Sequence, residues 1–423
     1  MDPRELLLGS FHAALAAADP LQIVPRHLPE PPRGRTVVVG AGKAAASMAL
    51  AVERSWPAGK PLEGVVITRY GHGLPTQRVR VVEAGHPVPD EHGEQAAAEI
   101  LALASRLSQD DLLLVLVSGG GSSLLSLPVE GVPMADLKAV TRGLLASGAP
   151  IQDMNTVRKH LSRIQGGRLA AATRARVHAL VISDVTGDDP THIGSGPCVA
   201  DPTTFADASE ILQRFGVALP ASVAAHLAKG IGGAIEETPK PGDPRLARAE
   251  NHVMATAHAS LAAAADFLEA RGIPPMILGD SVTGESSEVA KVYAAIAHEV
   301  RGHGLPHRPP VALVSGGETT VTVRGTGRGG RCTEFLLSLA VALEGLDDTW
   351  ALACDTDGID GSEDNAGAIL TPDALARGRA AGLEAKKLLA NNDGYGFFSA
   401  LGDLVVTGPT RTNVNDFRVI VVR

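Results

Sequence analysis

Apolar runs without a polar face alternate with stretches of helical periodicity along this chain, and the alternation predicts an α/β fold. The clearest run is 112–117, six apolar residues that are typical of a strand buried on both faces of a parallel sheet. The pattern predicts further strands at 36–39, 64–68, 79–84, 177–182, 275–279, 311–315, 319–323, 349–354, 403–406 and 417–422. Helices are predicted between many of them, including 90–107, 134–147, 285–302, 331–344 and 372–390, the last of which is expected to be broken. We expect two domains, each with a largely parallel sheet flanked by helices.

Residues 231–247 are rich in glycine and proline and have the composition of a linker. We place the domain boundary in this stretch. The prediction is an N-terminal Rossmann-like α/β domain at 1–236 and a C-terminal α/β domain at 237–423. A length of 423 residues agrees with more than one domain.

Several predicted strands end in glycines or in Ser-Gly-Gly. In open α/β sheets ligands bind beyond the carboxyl ends of strands, and free N–H groups in such turns bind anions. A tight turn without a ligand is the alternative interpretation of any single one of them. Together the turns predict a phosphate- or carboxylate-binding site that includes Gly42, Ser118, Gly119, Gly120, Gly121, Ser122, Ser123, Gly316, Gly317 and Glu318.

Two cations stand at predicted helix starts, where the helix dipole disfavours positive charge. Lys43 follows a glycine turn, and Arg331 follows Gly329-Gly330. Neither has an evident structural reason, so an anionic ligand is the simplest explanation. The segment Asn155 to Lys159 adds Arg158 and Lys159, which are either a solvated helix face or clamps on phosphate. His86, in a rigid loop, is either loop structure or a substrate contact.

Two groups of aspartates follow predicted strands. Asp184, Asp188 and Asp189 come after one strand, and Asp355, Asp357 and Asp360 come after another. Carboxylates at such positions suit Mg²⁺ or serve as a base for a hydroxyl group. A calcium loop does not fit the second group, because Ile359 and Asp360 stand where that loop needs Asp or Asn followed by Gly.

Phosphoryl transfer uses these components: anion-binding turns, cations, and carboxylates that bind Mg²⁺. No Walker A motif or protein-kinase signature is present. An NADP-dependent reductase is the alternative, because Gly40-x-Gly42-x-x-Ala45 resembles a dinucleotide fingerprint and Arg69 ends the next predicted strand. A non-catalytic binder of small organic phosphates is a third hypothesis.

Composition excludes some partners. The net charge of −9 argues against nucleic acid or an anionic membrane as partner, and 3% aromatic residues leave little for base stacking. No apolar run approaches the ~20 residues of a membrane span. The three scattered cysteines and the acidic opening without a secretory signal predict reduced thiols and a cytoplasmic protein. No Cys/His cluster has zinc spacing in the sequence.

Taken in order, these motifs resemble the glycerate 2-kinase family with a MOFRL-type C-terminal region, over essentially the whole chain. The stretches that carry the resemblance are 40–45, 83–90, 116–123, 155–162, 183–188, 315–319, 355–361 and 407–410. Relatives in this family are often labelled hydroxypyruvate reductase.

The resemblance implies ATP- and Mg²⁺-dependent phosphorylation of the 2-hydroxyl of D-glycerate to 2-phosphoglycerate, in an active site in the cleft between two domains. It places catalytic residues at Lys43, Arg331 and Asp357, and leaves Asp184, Asp188, Asp189, Asp355 and Asp360 as metal ligands. Cys332 stands where the family commonly has Asn, which affects substrate preference more than reaction type. A homodimer is an assembly that the sequence leaves open.

Overall fold

The computed structural model describes residues 2–423, which form two compact units. The N-terminal unit is Pro20–Met254, and the C-terminal unit is Ala255–Arg423 together with the N-terminal residues up to Asp19. This division differs from the predicted boundary at 236/237 in two places. Helix α1 (Pro3–Ala17) packs against α11 (Ala257–Glu269) and so joins the C-terminal unit. Residues after the predicted linker form the strand Ala249–Ala255, which extends the first sheet.

The N-terminal unit contains a six-stranded sheet with helices around it. Its strands are β1 (Thr36–Ala41), β2 (Leu62–Arg69), β3 (Val79–Ala84), β4 (Leu112–Val117), β5 (Arg176–Ile182) and β6 (Ala249–Ala255). Its helices are α2 (Pro20–Ile23), α3 (Ala45–Ser55), α4 (Glu91–Ser105), α5 (Gly121–Leu124), α6 (Met134–Ala146), α7 (Ile151–His160), α8 (Arg168–Ala171), α9 (Phe205–Arg214) and α10 (Ala221–Ile231), with 3₁₀ turns at Val24–His27, Ile193–Ser195 and Pro244–Leu246.

The strand order of this sheet is β3-β2-β1-β4-β5-β6, which is that of a doubly wound nucleotide-binding fold. The pairs β2–β3, β1–β2, β1–β4 and β4–β5 are all parallel. Every residue of β1 and β4 is buried, as the apolar runs predict for strands covered on both faces. The prediction of a Rossmann-like parallel sheet is confirmed. Strand order reverses between β1 and β4, so ligands are expected at their carboxyl ends.

The C-terminal unit contains a second six-stranded sheet. Its strands are β7 (Pro275–Gly279), β8 (Val311–Gly317), β9 (Thr349–Asp355), β10 (Gly367–Leu370), β11 (Leu404–Val405) and β12 (Asp416–Val422), in the order β11-β10-β9-β12-β8-β7. Besides α1 and α11, its helices are α12 (Ser286–His303), α13 (Arg331–Leu343), α14 (Ala374–Ala380), α15 (Ala385–Ala390) and α16 (Gly394–Leu401).

The C-terminal unit corrects two predictions. Its sheet is mixed rather than largely parallel: only β7–β8 is a parallel pair, because β12 lies antiparallel between β8 and β9 and β10 turns back on β9. The strand predicted at 319–323 is reduced to one isolated bridge between Glu285 and Thr320. The helix predicted at 372–390 is broken, as expected: it consists of α14 and α15, with Gly382 in a left-handed conformation between them.

Two further features concern the environment of the chain. All three cysteines are buried and unpaired. Within residues 2–423 no single helix has the length and apolar composition to cross a membrane, although the bent pair Pro3–Ala17 and Pro20–His27 meets both criteria when taken together.

Candidate active site

The turn that follows β1 is tied to the end of β4. Gly42 approaches Ser118 so closely that a Cβ at Gly42 would lie 2.1 Å from Ser118 Oγ. Ser118 Oγ also accepts the N–H of Ala44 at 3.1 Å, and Gly119 O accepts the N–H of Lys43 at 2.8 Å. The N–H of Gly42 donates to Ile67 at the end of β2. The glycine at position 42 is therefore required by packing, and its N–H is already used inside the protein.

The turn that follows β4 offers donors to a ligand. Among residues 2–423 the N–H groups of Gly119 and Gly120 find no hydrogen-bond acceptor. The His86 imidazole lies directly against Gly120, and the Lys43 side chain lies on the same side of it. Two N–H groups beside a lysine and an imidazole are donors that suit an anion, and anion binding at this turn stays a prediction.

A polar network borders this turn. Ser195 Oγ lies 2.8 Å from Ser122 Oγ and 3.0 Å from Asn155 Oδ1, and Arg158 Nη1 donates to Asn155 Oδ1 at 2.7 Å. Burial lowers the pKa of Arg158 to about 10. Ser195 has a φ of 59°, a conformation that costs a non-glycine residue free energy and is common at functional sites. The structure thus brings Ser122, Asn155 and Arg158 together, as predicted residues of one region.

Ser195 is not among the residues assigned to the site from sequence, although its Gly-Ser-Gly-Pro turn was a signal for it.

The other residues of the β4 turn support the turn itself. Gly121 packs against the carbonyl oxygen of Ala41, and Ser123 Oγ donates to the carbonyl of Gly120 at 3.2 Å. Gly121 and Ser123 therefore help to fix the shape of the backbone in this turn.

Lys159 lies away from this pocket, in the interior. Its side chain is 1% exposed, and Nζ donates to Asp201 Oδ1 at 2.8 Å. Asp201 also accepts hydrogen bonds from Thr203 and Thr238. A buried ammonium paired in this way is not available to a phosphate in solvent. The structure replaces the predicted clamp with a buried ion pair.

The aspartates after β5 lie at the same carboxyl edge of the sheet. Asp189 accepts the N–H of Thr191 at 2.9 Å, which is the contact of a turn, and Asp188 has a φ of 53°. Asp184 and Asp188 are partly exposed. Among residues 2–423 neither predicted aspartate group brings three ligand atoms within 4.8 Å of one another. Mg²⁺ needs only one or two carboxylates when phosphate oxygens and water complete its shell, so the donor type fits.

In the C-terminal unit, the antiparallel direction of β12 gathers carboxylates at one edge of the sheet. Asp416, the first residue of β12, pairs in register with Gly317 at the end of β8 and with Asp355 at the end of β9. Helix α13 is buried along almost its whole length, which fixes its first residue, Arg331, beside this edge. Asp416 was not assigned to the site from sequence, because its strand was predicted to begin at 417 and its direction was unknown.

Arg331 contacts three carboxylates. Nη1 donates to Glu318 at 2.5 Å, Nη2 to Asp355 at 2.8 Å, and Nε to Asp416 at 2.8 Å. Burial by itself would lower the pKa of Arg331, but Asp416, Asp355 and Glu318 outweigh it and hold the pKa well above its usual value. The expectation that no structural reason explains an arginine at this helix start is wrong. The three carboxylates offset the unfavourable interaction of the guanidinium with the helix dipole.

The neighbouring acidic residues have separate roles in the same cluster. Asp357 is buried and accepts the N–H of Ile359 at 2.9 Å. Asp360 accepts the N–H groups of Cys332 and Thr333 at 3.0 and 2.9 Å, so its carboxylate caps the start of α13. Burial raises the pKa of Asp360. The structure therefore assigns Asp360 a positioning role at the helix start.

Gly316 and Gly317 belong to β8 itself and are followed by a loop, so they do not form a strand-to-helix turn. The backbone of Gly317 packs against Val282, where a Cβ would lie 2.3 Å from a carbonyl oxygen. Next to them Arg418, fully buried, donates to Asp416 Oδ2 at 2.5 Å and to Thr319. Packing therefore requires glycine at position 317, and anion binding by this turn stays a prediction.

Cys332 is fully buried, and its side chain belongs to the apolar core beneath the sheet. Burial raises the pKa of its thiol well above the usual value. The side chain at this position therefore packs in the core, and the residue contributes to the site only through its backbone N–H.

Glu334, one turn into α13, carries a testable pH effect. Burial raises the pKa of Glu334 from 4.5 to about 7, and nearby Glu285 and Asp360 add to the shift. A raised folded-state pKa gives stability that is present below pH 4.5 and is lost as pH rises through about 7. We expect the unfolding free energy of Glu334→Gln to fall less than that of the wild type between pH 5 and 8, in urea titrations. Glu299→Gln, on the exposed side of α12, is the control and should follow the wild type; equal slopes for all three would contradict the prediction.

Two family models match this chain and define its class. Residues 6–228 match a domain of unknown function, DUF4147, and residues 311–416 match the MOFRL family. The first match alone covers more than half of the chain. The class is therefore that of proteins with a DUF4147 region followed by a MOFRL region.

Curated relatives and solved structures extend the likeness to the full length. A putative hydroxypyruvate reductase from Agrobacterium vitis is 53% identical over 99% of this chain and 94% of its own. Glycerate 2-kinase from Pyrococcus horikoshii is 38% identical over 100% of this chain and 98% of its own. A crystal structure of glycerate kinase from Thermotoga maritima superposes with a TM-score of 0.88 at 38% identity, covering 99% of both chains. The chain belongs to the glycerate kinase family, some of whose relatives carry the name hydroxypyruvate reductase.

Proposed function

We propose that this protein is an ATP- and Mg²⁺-dependent kinase that phosphorylates the 2-hydroxyl of D-glycerate and releases 2-phosphoglycerate. The observation that carries the proposal is the β4 turn, where N–H groups of Gly119 and Gly120 lie beside Lys43 and His86. Relatives that are named glycerate 2-kinase over nearly the whole length support the substrate.

In the N-terminal unit, the proposed task is to bind an anionic group and to balance charge on it. The N–H groups of Gly119 and Gly120 donate to the anion, and the Lys43 ammonium stabilises the negative charge that spreads over a phosphoryl group in the transition state. The Ser122, Ser195 and Asn155 network offers hydroxyl and amide groups to the hydroxyls of a sugar acid. These donors act without reorganisation because packing already fixes the turn.

In the C-terminal unit, the Arg331 cluster is acidic: Glu318, Asp355 and Asp416 surround Arg331, with Asp357 next to them. An excess of carboxylates attracts a divalent cation rather than a bare phosphate. We propose that this cluster binds the complex of Mg²⁺ and ATP, with Asp355 and Asp357 as oxygen donors to the metal. Mg²⁺ bound there would neutralise charge on the phosphates. Asp184 and Asp188 are the corresponding donors proposed in the N-terminal unit.

The reductase alternative has a specific observation against it. A dinucleotide fingerprint binds pyrophosphate through free N–H groups at the first turn of the helix after β1. Here each N–H from Gly42 to Ala45 donates to an oxygen of the protein itself, including Gly119 O and Ser118 Oγ. The turn that resembles the fingerprint in sequence is therefore already saturated.

One experiment separates the two functions. The purified protein is incubated with Mg²⁺-ATP and D-glycerate while ADP release is followed, and in parallel with NADPH and hydroxypyruvate while NADPH absorbance is followed. We expect ADP release that requires D-glycerate and stops with EDTA, and no NADPH oxidation above background.

Product analysis by ³¹P NMR then tests the position of transfer. We expect 2-phosphoglycerate as the only product. If 3-phosphoglycerate alone appears, the proposed regiochemistry is wrong; if NADPH is consumed and ADP is not released, the kinase proposal fails.

A further inference from the structure

Three potential metal ligands converge on the two last strands of the N-terminal sheet, away from the glycine turns. His178 lies near the beginning of β5, and Glu250 and His252 lie two residues apart on β6, so that both side chains point to the same face. β5 and β6 are neighbours in the sheet. His178 Nδ1, His252 Nε2 and a Glu250 carboxylate oxygen all lie within 4.8 Å of one another, the one group of three such ligand atoms among residues 2–423.

The distances in this group suit a small cation. Glu250 Oε2 lies 3.5 Å from His178 Nδ1 and 3.6 Å from His252 Nε2. A tetrahedral Zn²⁺ with bonds of 2.0–2.2 Å to nitrogen and oxygen separates its ligand atoms by about 3.4 Å. The three atoms therefore lie close to metal-bound separations, and His178 Nδ1 and His252 Nε2 make no hydrogen bond in the described part of the chain.

The tautomer of His178 points its lone pair into the group. His178 Nε2 lies 2.9 Å from the carbonyl oxygen of His27. A carbonyl only accepts, so Nε2 carries the hydrogen and the Nδ1 of the neutral ring is an electron-pair donor. A backbone carbonyl on the second ring nitrogen is the usual outer partner of a metal-binding histidine.

The group is unfavourable without a cation. His178 is 6% exposed, and His178 Nδ1 and His252 Nε2 are both buried nitrogen atoms without a hydrogen-bond partner in the described part of the chain. Both face the same carboxylate oxygen, and because His178 Nδ1 carries no hydrogen, its lone pair meets the lone pairs of the carboxylate without a hydrogen bond. Glu250 is exposed, which leaves an entry path from solvent.

We propose that His178, Glu250 and His252 bind one divalent transition-metal ion of the Zn²⁺ type, with water as a fourth ligand. Two imidazoles and a carboxylate are a donor set that suits Zn²⁺, Co²⁺ or Ni²⁺ rather than Mg²⁺. Because the ligands come from β5 and from the edge strand β6, the bound ion fastens the edge strand to the sheet. This role is independent of the proposed kinase activity.

The test is a Zn²⁺ titration of the metal-free full-length protein by calorimetry, without nucleotide. We expect the wild type to bind one Zn²⁺ that His252→Ala binds at least ~100-fold more weakly, since loss even of an outer partner costs about 10- to 100-fold. His258→Ala is the matched control: exposed His258 faces only one carboxylate, Asp280, at 3.9 Å, and its loss should change nothing. Glu250→Gln, an isosteric change at an exposed position, should weaken binding in the same direction.

Co²⁺ provides a spectroscopic signature. A four-coordinate His₂Glu site should give intense visible absorption with the wild type and none with His252→Ala, provided that circular dichroism shows both to be folded. The proposal is overturned if the wild type binds no Zn²⁺, if His252→Ala and Glu250→Gln bind it as the wild type does, or if the Co²⁺ spectrum has only the weak bands of six-coordination.

Discussion

Lys43→Ala is expected to lower kcat by roughly 10²-fold or more, with little change in thermal stability. The loss is the scale seen when a preorganised charge that faces a transition state is removed. Stability should hardly change, because Lys43 precedes the start of α3, where the helix dipole disfavours a cation. Steady-state kinetics of ADP release and a thermal melt measure the two effects.

Two further variants sharpen this prediction. Lys43→Arg keeps the charge and should recover part of the rate. Lys60→Ala removes an exposed lysine of the same unit and should leave both kcat and the melting temperature unchanged. A Lys43→Ala enzyme with wild-type kcat would refute the catalytic role and favour an ordinary surface lysine.

Arg331→Ala is expected to lose both activity and stability, in contrast to Lys43→Ala. The substitution leaves Asp355 without its guanidinium partner and leaves Asp416, which is fully buried, with Arg418 as its remaining cation. Removing one partner of a buried ion pair costs roughly 3 kcal/mol or more, since the other charge stays in the interior. Activity should fall by at least ~10²-fold, because Asp355 and Asp416 would no longer be held at the ends of β9 and β12. Urea unfolding and kcat on the same preparation test both parts.

The matched control is Arg328→Ala, three residues earlier, where an exposed arginine meets Glu363 and the ring of Tyr395. An exposed pair of this kind contributes about 0–1 kcal/mol, so the control should remain close to the wild type. Arg331→Lys should be intermediate in stability, because one ammonium cannot bridge three carboxylates. A stable Arg331→Ala protein would contradict the structural role, and a stable but inactive one would leave Arg331 as a purely catalytic residue.

The sequence alone determined much of the N-terminal unit. Buried strands such as 112–117 have no polar face, and this pattern is possible only in a sheet covered on both sides, which in practice is parallel. The glycines at 119–120 predict a ligand-binding turn because they recur after several strands, and this assignment stays a prediction. The order of motifs also indicated the family, which the similarity to glycerate kinases confirms.

The direction and neighbours of a strand were decided only by tertiary structure. The apolar pattern of a run such as 417–422 is the same for a parallel and an antiparallel strand, so the mixed second sheet could not be predicted. For the same reason Asp416 could not be placed opposite Asp355. The sequence therefore suggested a ligand for Arg331, whereas its partners are carboxylates of its own unit.

Burial, and contacts between polar residues far apart in the sequence, explain the remaining differences between the predictions and the structure. Lys159 has the local pattern of a solvent-facing clamp, yet Asp201 meets it in the interior, more than forty positions along the chain. The histidines show the same principle: no zinc spacing exists in the sequence, because His178 and His252 are brought together only when β6 adds to the edge of the sheet beside β5. Local pattern determines which face of a strand is apolar, whereas contacts between distant polar residues depend on which strands become neighbours, and only the folded chain decides that.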